Sequence, residues 1–126
     1  MKLKRATPVL FVDRVEPTRD FFKRLGFAVT VEVPAGDAAG FALLERDGVQ
    51  VMVETRGNEN EVPALRDLTR ESRHAVVFIE VDELEAVIAA LAGAPVIVER
   101  HKTFYNADEV SFQEPGGHVV TFAQFA

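Results

Sequence analysis

Histidine is the first residue type to consider for chemistry in this chain, and there are three: His74, His101 and His118. A neutral imidazole can bind a borderline divalent metal ion, and it can move a proton near neutral pH. The three lie far apart along the chain, and their spacing matches no ligand pattern such as H-x-x-x-H. An alternative interpretation is that His74 enters a strand and His118 belongs to a turn.

A second group of titratable side chains, His101, Tyr105 and Glu109, lies within one short stretch and could supply an acid and a base. Nothing in the sequence aligns the three. The chain has no Ser/His/Asp arrangement, phosphate loop or dinucleotide fingerprint, and Gly116-Gly117 is typical of a turn. The absence of cysteine excludes thiolate nucleophiles, disulfides, zinc ribbons and iron–sulfur clusters.

Aromatic side chains offer stacking instead of bond chemistry. Phe104 and Tyr105 form a pair in a polar segment before a predicted strand, and Phe41 is a further candidate. Such rings stack on planar or cationic ligands, or they pack under a dimer partner. Glu109 is predicted to begin the next strand, where it could meet a cationic group, although most surface glutamates have no such role.

The composition indicates one globular domain over residues 1–126, with 48% hydrophobic and 27% charged residues. Fourteen basic and 20 acidic residues give a net charge of −6, which disfavours nucleic acid and anionic membranes and is compatible with cationic ligands. No apolar run approaches the ~20 residues of a membrane span. The basic start of the chain precedes no long apolar core, so we expect a cytoplasmic protein.

The elements that must position these side chains come from an internal repeat. Thr7–Glu16 matches Val76–Glu85, and Glu45–Val53 matches Glu114–Phe122, and the offset along the chain is the same for both matches. Agreement of one offset at two distant places predicts two copies of one strand–helix–three-strand unit. The first module spans about residues 6–55 and the second about 74–126, with a polar linker between them.

Hydrophobic periodicity predicts the elements of each module, with Gly26 as the stop of the first helix and Asp47-Gly48 as a hairpin turn between two strands. The first module has strands at Val9–Val12, Phe27–Val33, Gly40–Glu45 and Val49–Glu54, and a helix over Glu16–Leu25. The second has strands at Ala75–Val81, Pro95–Arg100, Glu109–Gln113 and His118–Phe125, and a helix over Asp82–Ala92. In the linker, Pro63–Glu71 is predicted to form a short helix, and the role of Asn58–Arg73 is left open.

The repeated βαβββ unit and the ending Glu114–Phe122 resemble the vicinal oxygen chelate superfamily over about Ala6–Phe125. That superfamily includes glyoxalase I, extradiol dioxygenases, fosfomycin-resistance enzymes and bleomycin-resistance proteins. The resemblance implies an α+β fold whose sheets curl around a shared cavity, often at a dimer interface. The stretch Tyr105–Gly117, continued by Phe122 and Gln124, is most similar to the bleomycin-resistance branch, with Glu114 where Asp is frequent.

Metal-using members of the superfamily place ligands, usually His and Glu, at four strand positions, which the resemblance maps onto Thr7, Met52, Val76 and Thr121. None of these is a histidine or a carboxylate, so the inherited metal site is predicted to be absent. An alternative site could be rebuilt from His74, Glu54 and Glu80, because His74 and Glu54 share a strand face with the family's positions.

A small-molecule pocket is the other prediction. If the four mapped positions face the cavity, strand alternation brings further, mostly apolar side chains to the same face. These are Val9, Phe11, Gln50, Glu54, Phe78, Glu80, Val119 and Ala123. The same composition suits a filled core or a dimer contact. The predicted ligand-binding residues are Phe11, Phe41, Gln50, Met52, Phe78, Phe104, Tyr105, Glu109 and Thr121.

The resemblance thus favours a homodimeric, metal-independent protein without catalytic residues, which binds a planar or cationic ligand in a groove at the dimer interface. Antibiotic resistance would follow from sequestration, with two sites per dimer and a dissociation constant below the ligand concentration. The alternatives are a metal-dependent glyoxalase or other lyase, a thiol transferase or a dioxygenase of the same superfamily, and an interaction domain whose cavity is filled.

Overall fold

The computed structural model describes residues 1–71 and 75–126, and its elements form two similar modules. The first module comprises β1 Val9–Val12, α1 Val15–Arg24, β2 Ala28–Ala35, β3 Ala38–Arg46 and β4 Val49–Thr55. Helix α2, Pro63–Arg70, lies in the linker. The second module comprises β5 Val76–Glu80, α3 Leu84–Ala90, β6 Val96–Lys102, β7 Ala107–Gln113 and β8 Val119–Phe125.

Each module folds into one four-stranded mixed sheet, with strand orders β1-β4-β3-β2 and β5-β8-β7-β6. The first strand of each module pairs in parallel with its last strand, and the other pairings are antiparallel. Val9 lies opposite Met52, and Phe78 lies opposite Thr121, so the second pair repeats the first at the offset seen in the sequence. The predicted α+β fold of two βαβββ modules is confirmed, and the two sheets remain open.

Helix α1 covers one face of the first sheet because its apolar residues recur at helical spacing. Phe22 is fully buried and contacts the ring edges of Phe21 and Phe27, with centroid distances of 5.3 and 5.4 Å. The helix ends at Arg24, and Gly26 follows with φ +85°, a left-handed conformation that favours glycine. The predicted glycine stop is therefore present, and the helix begins and ends one residue earlier than predicted.

Helix α3 is shorter than the predicted span of residues 82–92. Glu83 has a non-helical backbone, with φ −146° and ψ 85°, and Leu91 has left the helix at the other end. The backbone N–H of Leu84 donates to Oε1 of Gln124 on β8 at 2.7 Å. A side chain of the last strand thus satisfies one of the free N–H groups at the start of this helix.

Strand β7 begins earlier than predicted, at Ala107 instead of Glu109. Asn106 adopts a left-handed turn with φ +65°, and the Thr103 N–H donates to the Ala107 carbonyl at 2.8 Å. The turn therefore closes before Ala107. As a result, Glu109 lies inside the strand and not at its start.

The hydrophobic core lies between the helices and the face of each sheet that they cover. Burying one aliphatic or aromatic side chain of this kind contributes about 1.5–3 kcal/mol. The large apolar strand residues that are fully buried are Leu10, Val12, Leu44, Val51, Val53, Val120 and Phe122. In the described part of the chain, no helix has the length and apolar character needed to cross a membrane.

The two modules contact each other where α1 and β1 meet the turn between β7 and β8, and where α1 meets the end of α3. The Thr18 hydroxyl donates to Oε2 of Glu114 at 2.6 Å. The Arg24 guanidinium donates to the carbonyls of Ala90 and Ala92, at 3.2 and 2.7 Å. Gly116 packs so closely on Val12 that a Cβ there would lie 2.4 Å from Cγ1 of that valine.

Candidate ligand-binding faces

Helices α1 and α3 each cover one face of their module's sheet. The opposite face of each sheet, which the module's helix does not cover, is here called the open face. Alternation along the strands places every second side chain there. The open face of the first module presents Val9, Phe11, Phe41, Leu43, Gln50, Met52 and Glu54. That of the second module presents Val76, Phe78, Glu80, Glu109, Ser111, Val119, Thr121, Ala123 and Phe125.

The open face of the second module presents four aromatic rings in a continuous row, here called the aromatic row. Phe78 lies 6.5 Å from Phe125, Phe125 lies 6.1 Å from Tyr105, and Tyr105 lies 5.0 Å from Phe104, measured between ring centroids. The exposed fractions are 50% for Phe78, 42% for Phe125, 41% for Tyr105 and 97% for Phe104. One chain thus leaves a large aromatic surface in contact with solvent.

Polar groups lie beneath the aromatic row. The Tyr105 hydroxyl donates a hydrogen bond to the buried carboxylate of Glu109, and this hydrogen bond raises the pKa of the tyrosine. Beside them, the Ser111 and Thr121 hydroxyls are hydrogen-bonded at 2.7 Å. The predicted residues Phe78, Tyr105, Glu109 and Thr121 therefore lie on one face. His101 lies opposite Glu109 in the pairing of β6 with β7, but its side chain is exposed and its Nδ1 lies 3.0 Å from the Glu99 carbonyl.

The open face of the first module is a half-buried apolar surface with a polar group at each end. Phe11, Phe41 and Met52 form its apolar part. At one end, Gln50 accepts a hydrogen bond from the Thr7 hydroxyl at 3.2 Å and donates one to Glu45 at 2.8 Å. These interactions use both ends of the Gln50 amide.

At the other end lies Glu54, which is only 8% exposed. In the cross-strand pairing it is flanked by Phe11 on β1 and Phe41 on β3. Its Oε2 is buried and has no hydrogen-bond donor in the described part of the protein, while the Glu61 carboxyl lies within hydrogen-bonding reach. Burial and, second, the Glu61 carboxyl raise the pKa of Glu54 to about 7.

The rebuilt metal site of His74, Glu54 and Glu80 stays a prediction, because the structure describes only part of it. Glu54 lies on the first sheet and Glu80 on the second, and His74 lies outside the described residues. Across residues 1–71 and 75–126, no three His, Cys, Asp or Glu side chains form a group that could hold a metal ion. Two of the four positions to which the superfamily's metal ligands map already make side-chain hydrogen bonds, Thr7 with Gln50 and Thr121 with Ser111.

Three functionally placed residues were missed in the sequence. Phe125 completes the aromatic row, and alternation from Thr121 along β8 would have indicated it. Glu61 approaches Glu54 from an irregular segment, for which no pattern exists. The third concerns His118, for which a turn position was only the alternative interpretation: the residue is 1% exposed, and its Nδ1 lies 2.6 Å from Oε1 of Glu114.

Between the modules, on the helix side, lies a separate cleft of about 710 Å³. Pro17, Phe21 and Arg24 line it from α1, and Ala94 and Pro95 line it from the second module. This cleft is distinct from the open faces and contains none of the predicted ligand-binding residues. The open faces of one chain are surfaces open to solvent and not enclosed cavities, because Val9, Val76, Phe78 and Phe125 are exposed on them.

Paired βαβββ modules with open strand faces define a class of proteins that includes both enzymes and binding proteins, so fold alone does not give the activity. The family model of the Glyoxalase/Bleomycin resistance protein/Dioxygenase superfamily matches residues 3–122. The chain therefore belongs to this superfamily. No curated protein sequence matches it significantly.

Several solved structures share the fold over nearly their whole length. TioX from Micromonospora sp. ML1 is 19% identical, with a TM-score of 0.80 and coverage of 98% of this chain and 99% of TioX. TnmS3, an antibiotic binding protein from Streptomyces sp. CB03234, is 18% identical, with a TM-score of 0.70 and coverage of 100% and 99%. A bleomycin-binding protein solved with bleomycin is 19% identical, with a TM-score of 0.64 and coverage of 98% and 100%.

Proposed function

We propose that this chain is a metal-independent small-molecule binding protein that holds a planar ligand, aromatic or cationic, in a groove between two copies of the chain. The aromatic row is the observation that supports this most directly. Its four rings are neighbours, and each is at least 41% exposed in the single chain. A core would bury such rings, whereas a stacking site must keep them accessible.

The chemistry of the row suits a flat ligand. Stacking on one aromatic side chain contributes about 0.5–1.5 kcal/mol beyond the burial of area. The Glu109 carboxylate beneath the row accepts a hydrogen bond from Tyr105, which holds the tyrosine ring in place. Hydroxyl groups of Ser111 and Thr121 add a few orienting polar contacts, as ligand sites commonly have.

A second copy of the chain is part of the proposal because one chain leaves too much apolar surface uncovered. Val76 is 67% exposed and Val9 is 37% exposed on the two open faces, and Ile97 on the edge strand β6 is 50% exposed. Val76 shares its strand face with Phe78, which continues into the aromatic row, and an exposed apolar surface of this kind marks an interaction site. Two copies with their open faces opposed would enclose two grooves and cover these strands.

Two observations favour binding over catalysis. Two of the similar structures are described as binding an antibiotic or bleomycin, and the chain's own mapped positions Thr7, Met52, Val76 and Thr121 lack metal-binding side chains. We further propose that the protein acts in the cytoplasm, where sequestration would protect intracellular targets from an antibiotic.

The test is a fluorescence titration with two probes, proflavine, a planar tricyclic cation, and acridone, an uncharged tricycle of similar shape. Both should bind the wild type, and Phe78→Ala and Tyr105→Ala should each weaken binding roughly two- to tenfold, as expected for loss of one stacking contact. Leu68→Ala is the control, because Leu68 is 73% exposed on α2 in the linker and is not part of the aromatic row. Failure of both probes, or equal affinity in all variants, would rule out the aromatic row as the site.

A further inference from the structure

We propose that Glu54, and not Glu109, accepts the cationic group of the ligand, and that this group is an organic ammonium or guanidinium. The inference rests on the proposed function and assigns a second, charged subsite on the open face of the first module. The two carboxylates differ in how they are already satisfied. Glu109 accepts a hydrogen bond from Tyr105, whereas Oε2 of Glu54 is buried without a donor among residues 1–71 and 75–126.

An unpaired carboxylate oxygen in a buried position is costly, so it needs a proton or a cation from somewhere. The protein itself offers the carboxyl group of Glu61, which can share a proton with Glu54. A cation delivered by a ligand would replace this proton and would interact with both carboxylates. Glu54 can therefore exist in two states, protonated below about pH 7 without ligand and cation-bound with it.

The surroundings of Glu54 favour an organic cation over a metal ion. The strands on either side present the rings of Phe11 and Phe41, which are not titratable and which attract an alkylammonium through their faces. Calcium or magnesium takes six or more oxygen ligands, and only two carboxylates meet here. The guanidinium of Arg56, just beyond the end of β4, is bonded to Asp13 at 3.2 Å.

Charge at this position should also respond to pH. Glu61, from the segment before α2, is the charged group that acts on Glu54, and it raises the pKa of Glu54 further than burial does alone, to about 7. An ammonium probe should compete with the shared proton. Its affinity should therefore increase as the pH rises through 7, and its binding should lower the pKa of Glu54.

The experiment follows the side-chain carboxyl signals of labelled glutamates by carbon NMR during pH titrations with benzylamine, whose ring and ammonium match the two parts of the subsite. Saturating benzylamine should lower the titration midpoint of Glu54, and benzyl alcohol should not. Glu54→Gln should weaken benzylamine binding about tenfold, a typical loss for one charge-assisted contact. The exposed neighbour variant Glu59→Gln should bind as the wild type does.

An unchanged Glu54 midpoint at high benzylamine concentration, or equal affinity in Glu54→Gln, would overturn the inference. A second variant, Glu61→Gln, keeps the test informative if Glu54→Gln folds poorly. Its amide can donate to Glu54 and so should weaken benzylamine binding while leaving the sheet intact. Acridone, which has no charge, separates this inference from the proposed function. It should bind Glu54→Gln as it binds the wild type. Loss of acridone binding in Phe78→Ala would test the aromatic row and not the Glu54 subsite.

Discussion

Thr18 and Glu114 are 96 residues apart in the chain, and the threonine hydroxyl donates to the glutamate carboxylate at 2.6 Å. The same carboxylate accepts the Gly116 N–H at 2.7 Å and the His118 N–H at 3.0 Å, and the His118 ring lies 2.6 Å away. Glu114 is 1% exposed. A fully bonded, buried carboxylate thus joins helix α1 of the first module to the turn before β8.

Removing the Thr18 hydroxyl, one of the donors to the Glu114 carboxylate, should weaken the contact between the modules. Thr18→Val keeps the shape of the side chain but removes the hydroxyl, and we expect a loss of about 1.5–3 kcal/mol in the free energy of unfolding, as for a hydrogen bond to a charged group. Urea denaturation measures the change. Thr30→Val is the control, because Thr30 is exposed on β2 and should change stability little. Equal stability of both variants would show that the Thr18–Glu114 contact contributes nothing.

Acid should destabilise the fold through Glu114. Burial alone would raise the pKa of this carboxyl, but hydrogen bonds from the His118 ring, from Thr18 and from two backbone N–H groups outweigh it and hold the pKa below the ordinary value of 4.5. The folded state therefore binds this proton less tightly than the unfolded state. The stabilisation is complete above pH 4.5 and is lost as the pH falls through the lower, folded-state pKa.

Thermal denaturation between pH 7 and pH 3 measures this effect in the wild type and in Glu114→Gln. The variant should lose less stability in acid than the wild type does. Its remaining slope should come from Glu16 and Asp108, whose pKa values are lowered by the Ala39 N–H and by Arg100. Parallel profiles for the two proteins would show that Glu114 is not responsible.

Gly116 is predicted to be required by its close packing and not by its backbone conformation. A Cβ at this position would lie 2.4 Å from Cγ1 of Val12. We expect Gly116→Ala to cost about 1–3 kcal/mol, the usual range for overpacking. Val12→Ala removes the clashing methyl groups, so the double variant should be more stable than the sum of the two single losses predicts. Strict additivity in urea denaturation would contradict direct contact.

The open faces predict a dimer that depends on their apolar residues. Val76 is 67% exposed on β5, and a charge there should oppose burial against a second copy. Val76→Asp is expected to sediment as a monomer at concentrations where the wild type is a dimer. Val49→Asp is the matched control, because Val49 is 41% exposed on β4 but lies with Val51 and Val53 on the other face of the sheet. Identical sedimentation of Val76→Asp and the wild type would place any dimer contact elsewhere.

Sequence reasoning predicted the fold well because the fold is repeated. The constant offset between the two copies identified the modules, and the pairs Val9–Met52 and Phe78–Thr121 repeat it in the strand register. Alternation along short strands then placed most candidate side chains on the open faces. The hairpin at Asp47-Gly48 was predicted from its turn residues, and both adopt positive φ, 52° and 79°.

The arrangement of the candidate site could be predicted only in part. The contact of Thr18 with Glu114 joins different modules, and the approach of Glu61 to Glu54 depends on the path of an irregular segment. Neither follows from periodicity, which is local. Glu109 was expected to meet a cationic group, but it accepts a hydrogen bond from Tyr105. This bond depends on the turn at Asn106, after which β7 begins earlier than predicted.

The most direct test of the central claim, metal-independent ligand binding on the aromatic row, is a calorimetric titration of untagged protein with proflavine. One sample is first incubated with Mn, Fe, Ni and Zn and dialysed, and its metal content is then measured by mass spectrometry. A second sample is treated with a chelator before the titration. We predict that no metal is retained, that both samples bind two proflavine molecules per dimer with equal affinity, and that Phe78→Ala weakens binding in both. Near-stoichiometric metal after dialysis, with binding lost in the chelated sample, would contradict the account and favour a metalloenzyme of the same superfamily.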